Sequence, residues 1–153
     1  MSKVILRQTQ IVPSSKEGLE KINNLEAVLK KETQLDITTW HTLHGGIYTR
    51  TVFIPKGAVA VGTIIEVPTT VTIHGKAKFS QGDSVFIVDG FKVVPGSKDR
   101  KQAVVAFEDT YVAMSFTTKQ TTIEGAEKEM TSSYEQLMSR NIDAINYITI
   151  TGE

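Results

Sequence analysis

The stretch that decides the fold reads SVFIVDGFKVVPG over residues 84–96 and continues as AVVAFEDTYVAMSF over residues 103–116. Both segments are rich in Val, Ile, Phe and Tyr, the β-branched and aromatic residues that favour strands. Runs of the same kind recur through the middle of the chain, at residues 49–54, 63–67, 70–73, 84–88, 91–94, 103–107 and 111–116. Because no helix-length segment interrupts them, the pattern predicts a mainly antiparallel sandwich or barrel.

Turn residues separate these predicted strands at short intervals. Glycine supplies the positive φ that a sharp corner needs, and proline fixes φ at strand ends where no ladder donor is required. The predicted corners are Gly45-Gly46, Pro55-Lys56-Gly57, His74-Gly75, Gln81-Gly82-Asp83, Asp89-Gly90, Pro95-Gly96 and Glu108-Asp109.

Helical patterns flank the strand-rich zone on both sides. Ser14 to Glu17 read as a capping box before a helix that runs through Glu32, and Ser132 to Glu135 read as a second capping box. We therefore expect a single domain, 1–153, with an N-terminal strand and helix (1–36), a barrel (37–118) and a C-terminal helix and strand (119–153). The β-prone tail, residues 146–151, must pair with an edge of its own barrel or with a neighbouring subunit.

Composition excludes several classes of function. The 153 residues carry 17 Lys and Arg against 17 Asp and Glu, so the zero net charge argues against a general nucleic-acid binder. The absence of cysteine excludes thiol catalysis, thiolate metal sites and disulfides. No apolar run is long enough for a membrane span, and the N-terminus lacks the apolar core of a secretion signal. These features predict a soluble protein that does not contact membranes.

Motifs for catalysis or cofactor binding are missing from the sequence. His41 and His44 are three positions apart, which places them on opposite faces of a strand, and His74 is remote. Neither a nucleophile elbow nor a phosphate loop occurs. We therefore expect no catalytic residue, no metal and no cofactor.

An arginine in the barrel zone is the first candidate for ligand binding. Tyr48 and Arg50 share one strand face with Val52 and Ile54. If that face points inward, a buried Arg50 needs a partner. The partner would be a carboxylate such as Glu66 or Glu108, or an anionic ligand.

Two further features allow a functional and a structural interpretation. Lys98, Arg100 and Lys101 lie close together after Pro95-Gly96, where they would contact a phosphate or another anion, or form an ordinary solvated loop. Trp40 is the single tryptophan. It would stack on a base or a sugar at the barrel edge, or serve core packing or an intersubunit contact.

The strand zone resembles small cupin-like jelly-roll proteins of bacteriophages and prophages. The resemblance covers about residues 43–118 and depends on short motifs: residues 46–50, 54–57, Gly62, Gly75, Pro95-Gly96 with Arg100 behind them, and residues 108–110. It implies a mainly β, antiparallel jelly-roll or cupin-like barrel with flanking N- and C-terminal helices. The inward face around Arg50 would line the barrel mouth.

The same resemblance argues against the metal that many cupins use. The expected ligand positions fall near Ile65, Thr69 and Phe116, where this chain has no histidine. Isoleucine and phenylalanine cannot ligate a metal, and a lone threonine is a poor ligand.

Together these observations predict a non-catalytic, phage-type binding protein with an accessory or anti-defence role. We expect a small polar, anionic or nucleotide-like ligand in the barrel, held by inward positions Tyr48, Arg50, Thr69, Thr72 and Tyr111. One alternative is a virion structural or cement protein that uses the barrel as a scaffold and contacts other virion proteins. A third is a metal-independent enzyme such as an isomerase. We expect a homo-oligomer located in the host cytoplasm or the virion.

Overall fold

The computed structural model describes residues 2–7 and 9–153, and its centre is one curled eight-stranded sheet. The strand order is β3-β6-β4-β7-β2-β1-β8, and β5 pairs with the other edge of β4. The strands are β1 (Thr39–His44), β2 (Ile47–Ile54), β3 (Val59–Val61), β4 (Thr69–Ser80), β5 (Val85–Gly96), β6 (Ala103–Ala106), β7 (Thr110–Thr117) and β8 (Asn146–Ile150).

The sheet is mixed, which corrects the expectation of a purely antiparallel barrel. Seven of the strands pair antiparallel, but β8 runs parallel to β1, with Trp40 opposite Tyr147 and His41 opposite Ile148. The β-prone tail therefore pairs with an edge of its own sheet. The mainly β class with flanking helices is confirmed.

Two glycines that predict turns lie inside strands instead. Gly75 of β4 faces Gly90 of β5, and both have positive φ values of 145° and 104°. A Cβ at Gly75 would overlap the backbone and side chain of Thr110. At this bend β4 changes its second neighbour, from β7 over Thr70–His74 to β6 over Ala77–Ser80. The glycines thus bend a long hairpin and do not end it.

The sheet curls around an apolar interior with two buried clusters. The larger one includes Ile73, Ala77 and Phe79 of β4 with strand residues from β2, β5 and β6. The smaller one joins Tyr48 and Phe116 to Met130 at the end of a helix. Buried residues alternate with more exposed residues along β1 and along the first half of β4, as a sheet with one buried face requires.

The helices begin at different residues from those the capping boxes indicate. Helix α1 (Lys16–Leu29) begins after Ser15, whose Oγ accepts from Gly18 N at 2.9 Å. Ser14 instead uses its Oγ to accept from Lys101 N at 2.9 Å. Helix α2 (Ile123–Met130) is capped by Thr122. The box at Ser132 precedes only a 3₁₀ turn, Tyr134–Gln136, which a second turn, Met138–Arg140, follows.

Two details of the strand zone also differ from expectation. The predicted strand at residues 63–67 is absent; Ile65 makes only an isolated bridge to Arg100. Strand β1 carries no β-branched run and was not among the predicted strands. Within the described part of the chain, no helix has the length and apolar character needed to cross a bilayer.

Candidate functional site

Arg50 belongs to a buried ion-pair network at one end of the sheet. Its Nη1 donates to Glu127 Oε2 at 3.0 Å, and its Nη2 donates to Ser139 Oγ at 2.8 Å. Glu127, on α2, also accepts from Arg140 Nη1 at 3.1 Å. Arg50 and Glu127 are 4% and 3% exposed. The partner of Arg50 is thus an internal carboxylate, but neither Glu66 nor Glu108.

A chain of neutral hydrogen bonds runs beside this network. His41 Nδ1 lies 2.7 Å from the Tyr48 hydroxyl, and His41 Nε2 lies 2.7 Å from Asn146 Oδ1. Because Asn146 Nδ2 donates to the Ser139 carbonyl, its Oδ1 must accept from His41. A neutral His41 then accepts from Tyr48 at Nδ1. These hydrogen bonds attach β8 to the interior of the sheet.

Burial favours the neutral forms of the His41 imidazole and the Tyr48 phenol. Desolvation lowers the pKa of His41 below its usual value of 6.5, and the Arg50 charge adds to this effect. Desolvation also raises the pKa of Tyr48 above its usual value of 10.0. The hydrogen-bond directions above require these two neutral forms, so the electrostatics and the geometry agree.

The remaining inward candidates divide between the two faces of the sheet. Thr69 is 6% exposed and lies inside. Thr72 pairs with Val93 and Ala113 on the outer face, and Tyr111 is 43% exposed on that same face. The expectation that Thr72 and Tyr111 point inward is wrong, because strand alternation directs Val71, Ile73 and Val112 to the interior instead.

The three basic residues after Pro95-Gly96 do not form one patch. Lys98 lines an open cleft of about 730 Å³, together with Thr69, Gly96 and Ser97. Lys101 Nζ bonds to Glu26 Oε1 at 2.9 Å and to Asn23 Oδ1 at 2.9 Å, so it fastens α1 to the sheet. Arg100 points into the sheet interior.

Arg100 is a fully buried cation without a carboxylate partner. The residue is 1% exposed. Its Nη1 donates to the Ser97 carbonyl at 2.6 Å, and its Nη2 donates to Thr69 Oγ1 at 2.6 Å. No Asp or Glu among residues 2–7 and 9–153 forms an ion pair with it. Desolvation lowers the pKa of Arg100 to about 10.

The local backbone explains why this side chain turns inward. Asp99 adopts φ 62°, a left-handed conformation that Asp tolerates better than most residues. Its N–H donates to the Ile65 carbonyl at 2.6 Å, and the Ile65 N–H donates to the Arg100 carbonyl at 2.8 Å. A Cβ at Gly96 would lie 2.7 Å from Arg100 Cζ, so only glycine lets the guanidinium lie against this backbone.

Arg100 lines an interior cavity of about 100 Å³ between the sheet and residues 62–65. Apolar side chains such as Val52, Val112 and Met114 form most of its wall. Two other lining residues carry buried polar atoms, Thr63 Oγ1 and Gln102 Nε2, that have no hydrogen-bond partner among the described residues. We call Arg100, Thr63 and Gln102 the cavity triad. Thr63 and Gln102 have polar atoms without a hydrogen-bond partner among the described residues, and Arg100 has hydrogen-bond acceptors but no negatively charged partner.

The side chains at the positions where the cupin resemblance places metal ligands do not fit a metal. Ile65 and Phe116 are buried in the smaller apolar cluster, and Thr69 Oγ1 already accepts from Arg100. Nowhere in the described chain do three His, Asp or Glu residues gather as a metal site would require.

Sequence reasoning names Arg100 as a possible anion contact but misses Thr63, Gln102 and Glu127. Charged residues are seldom fully buried, so the sequence does not indicate that Arg100 lies in the interior. One feature of the sequence does indicate a buried Arg100: the residue lies between a Pro-Gly corner and the apolar run at residues 103–106.

Comparison with known proteins found no matching family model and no matching curated protein. Several solved structures of cupin proteins are similar. A cupin-2 domain protein from Shewanella frigidimarina has 9% identity over 64% of this chain and 96% of that chain, with a TM-score of 0.44. An RmlC-like cupin from Desulfovibrio desulfuricans has 14% identity over 54% and 82%, with a TM-score of 0.44. Ectoine synthase from P. lautus has 13% identity over 59% and 70%, with a TM-score of 0.43. Likeness at this level assigns neither a family nor an activity.

Proposed function

We propose that this chain is a non-catalytic binding protein that takes a small anion into the interior cavity at Arg100. One observation carries the proposal: a fully buried guanidinium with no carboxylate partner among the described residues. An isolated buried charge costs several kcal/mol of stability unless a counter-ion is present. An anionic ligand would supply that counter-ion.

The cavity triad supports an anion over a neutral or cationic ligand. Arg100 offers a positive charge, and Gln102 Nε2 and Thr63 Oγ1 are further donors without acceptors. Donors of this kind match carboxylate or phosphate oxygens. At roughly 30 Å³ for each water molecule in the liquid, a cavity of about 100 Å³ suits an anion of a few heavy atoms.

The cavity lining supports binding over catalysis. Arg100 is the one titratable side chain among the described residues that line it. General acid–base chemistry needs a group whose pKa lies near the working pH, such as a carboxyl or an imidazole. His41 and Glu127 belong to the separate network around Arg50. The accessory, phage-type role that the cupin resemblance implies remains part of this proposal.

The test compares small anions for their effect on thermal unfolding of ligand-free protein. Formate, acetate and phosphate are added with the ionic strength held constant by gluconate, and citrate serves as an oversized anion. A binding anion at a hundredfold excess over its Kd stabilises the fold by about 2.7 kcal/mol. We expect stabilisation by at least one small anion and none by citrate.

Arg100→Met is the decisive variant. It removes the buried charge at similar length, so the ligand-free variant should be at least as stable as the native protein while its response to anions disappears. Lys98→Met is the matched control, because Lys98 lies in the neighbouring open cleft. An unchanged anion response in Arg100→Met, or no response to any small anion in the native chain, would falsify the proposal.

A second candidate function is assembly with further copies of this chain, as in a virion structural or cement protein. Strand β5 pairs only with β4, apart from the Ile11 bridge to Gly96, among the described residues. Its outward side chains form an apolar ridge of Val85, Ile87, Phe91 and Val93, each 53–69% exposed. A free edge strand with an apolar face is a template for pairing.

Light scattering separates the two candidates. Assembly through the ridge predicts a particle of at least twice the mass of one chain, and Ile87→Lys should return it to a single chain. A native protein that stays monomeric at micromolar concentration would exclude assembly and leave the anion site unaffected.

A further inference from the structure

A row of aromatic rings, two of them exposed and two half-buried, crosses the outer face of β7, β2, β1 and β8. Trp40 stacks on Tyr147 at 5.8 Å between ring centroids with a 17° interplanar angle. Tyr111 lies 6.0 Å from Trp40 and 5.0 Å from Phe53. We call these four residues the aromatic platform. Tyr111 and Tyr147 are 43% and 55% exposed, so ring surface remains open to solvent.

The strand register explains why the four rings share one face. Trp40 is opposite Tyr147 in the parallel pair, and Phe53 is opposite Tyr111 in the antiparallel pair. Paired residues point to the same side of a sheet. The inward neighbours at each step are residues such as His41 and Val112, which contact the interior.

Hydroxyl groups stand next to the platform on the same face. Thr42 is opposite both Thr49 and Thr149, and Thr49 Oγ1 lies 2.8 Å from Ser115 Oγ. Thr51 is opposite Trp40. Neighbouring strands are about 4.8 Å apart, so these side chains form closely spaced rows of hydroxyls beside the rings.

The outward side chains of these four strands carry no fixed charge, and the Glu153 carboxylate lies at one margin of the face, 3.9 Å from His44 Nε2. The outward side chains of β1, β2, β7 and β8 are aromatic, Thr, Ser, Ala, Ile and His, and none is Lys, Arg, Asp or Glu. Nucleic acid would need cations along its phosphate backbone. A surface without charged side chains therefore suits an uncharged partner.

We propose that the aromatic platform binds a neutral glycan. A sugar ring offers an apolar C–H face that packs on Trp and Tyr rings and a rim of hydroxyls that bonds to Thr, Ser and phenol groups. The ridge on β5 is mostly aliphatic, with Phe91 as its one aromatic side chain. The platform is aromatic with hydroxyl groups beside it, and it suits a hydroxylated ligand. The platform lies on the opposite face from the interior cavity, so this proposal does not depend on the anion site.

The test uses Trp40, the single tryptophan, as a fluorescence probe in the native chain. Maltohexaose, cellohexaose and N-acetylated chitohexaose are titrated, and a hexathymidine oligonucleotide is titrated in parallel. We expect at least one oligosaccharide to change the Trp40 emission in a saturable way and the oligonucleotide to leave it unchanged.

Variants locate the site. Tyr111→Ala should weaken sugar binding about tenfold, because it removes one ring from the platform. Thr149→Val, which is isosteric, should weaken it less. Ile87→Ala removes an exposed apolar side chain of β5 that is opposite Lys78, beyond the Gly75–Gly90 bend, and should leave binding unchanged. Strand β7 is held between β4 and β2, and a melting curve of Tyr111→Ala shows whether the variant is folded; Tyr147→Ala replaces it if it is not.

Three outcomes would overturn the proposal. They are a response to none of the sugars, an equal response to the oligonucleotide, and a Trp40 signal that depends on protein concentration alone. The last result would show that a second copy of the chain covers the platform.

Discussion

Two buried arginines have opposite surroundings in this molecule. Arg50 lies against Glu127, whose carboxylate also accepts from Ser139 and Arg140. Arg100 has only a carbonyl, a hydroxyl and a thioether around its terminal nitrogens. The charge of Arg50 is therefore compensated within the chain, and replacing Arg50 would leave the buried Glu127 with the partly exposed Arg140 as its remaining ionic partner.

We predict that Arg50→Met destabilises the fold strongly. The substitution removes the buried cation beside Glu127 and leaves only the partly exposed Arg140. Breaking a buried pair costs about 3–5 kcal/mol, and the remaining Arg140 places the expected loss toward the lower end of that range. Urea denaturation of both proteins measures the difference. Arg140→Met is the control, because the Arg140 side chain is 34% exposed and its loss should cost clearly less. Equal stability of Arg50→Met and the native chain would refute an ion pair of structural importance.

His41 should make the stability depend on pH in a known direction. Its folded-state pKa is lowered by burial from 6.5, so the unfolded chain binds a proton at higher pH than the folded chain. The contribution of His41 to the free energy of unfolding therefore has its full value above pH 6.5. This contribution is lost as the pH falls through the folded-state pKa. Protonation would also remove the Nδ1 acceptor that Tyr48 uses.

Urea denaturation between about pH 5 and pH 8 measures this dependence. His41→Gln, which does not titrate, should show a flatter profile over the same range. A native profile that is flat, or that rises toward acid pH, would contradict the neutral His41.

At the scale of elements, β8 covers the edge of β1. It pairs with β1 over Thr39–Leu43, and its Asn146 side chain bonds to His41. We predict that deleting residues 146–153 exposes the β1 edge and causes aggregation or a lower melting temperature. Asn146→Ala keeps the backbone pairing and removes only the side-chain bond, so it should cost less than the deletion. A deletion variant that remains monomeric with the native melting temperature would show that β8 is dispensable.

Local sequence patterns predicted the elements to different degrees. Strands β2, β6 and β7 follow runs of β-branched and aromatic residues and lie close to the predicted positions. Strand β1, with the sequence TWHTLH, contains Thr and Trp but no run of consecutive Val, Ile, Phe or Tyr, and it lies between two neighbouring strands. Gly75 and Gly90 predicted corners because glycine permits positive φ, yet the same freedom here serves a bend within paired strands.

The candidate site was harder to predict than the fold. An inward Arg50 follows from strand alternation, but its partner Glu127 is 77 positions away on a helix that sequence patterns did not locate. The inward turn of Arg100 depends on the Asp99 backbone and on the bridge to Ile65. Both are tertiary features without a local sequence signal.

For the whole molecule, we predict purification without a stoichiometric transition metal. The cupin resemblance places metal ligands near Ile65, Thr69 and Phe116, and these side chains are occupied in packing or hydrogen bonding. Elemental analysis of protein purified from cells measures the metal content. About one Mn, Fe, Ni or Zn for each chain would contradict the prediction.

The pairing of β1 with β8 also sets the order of events during biosynthesis. His41 and Asn146 are 105 positions apart, and a ribosome adds about 5–20 residues each second. Strand β1 is therefore synthesised roughly 5 to 20 seconds before β8, its partner on the outer side. Through that interval β1 is an edge strand, although it is an internal strand in the finished sheet. Nascent chains on neighbouring ribosomes are then the partners most able to pair with it wrongly, so we expect the yield of native protein to depend on translation speed between β1 and β8.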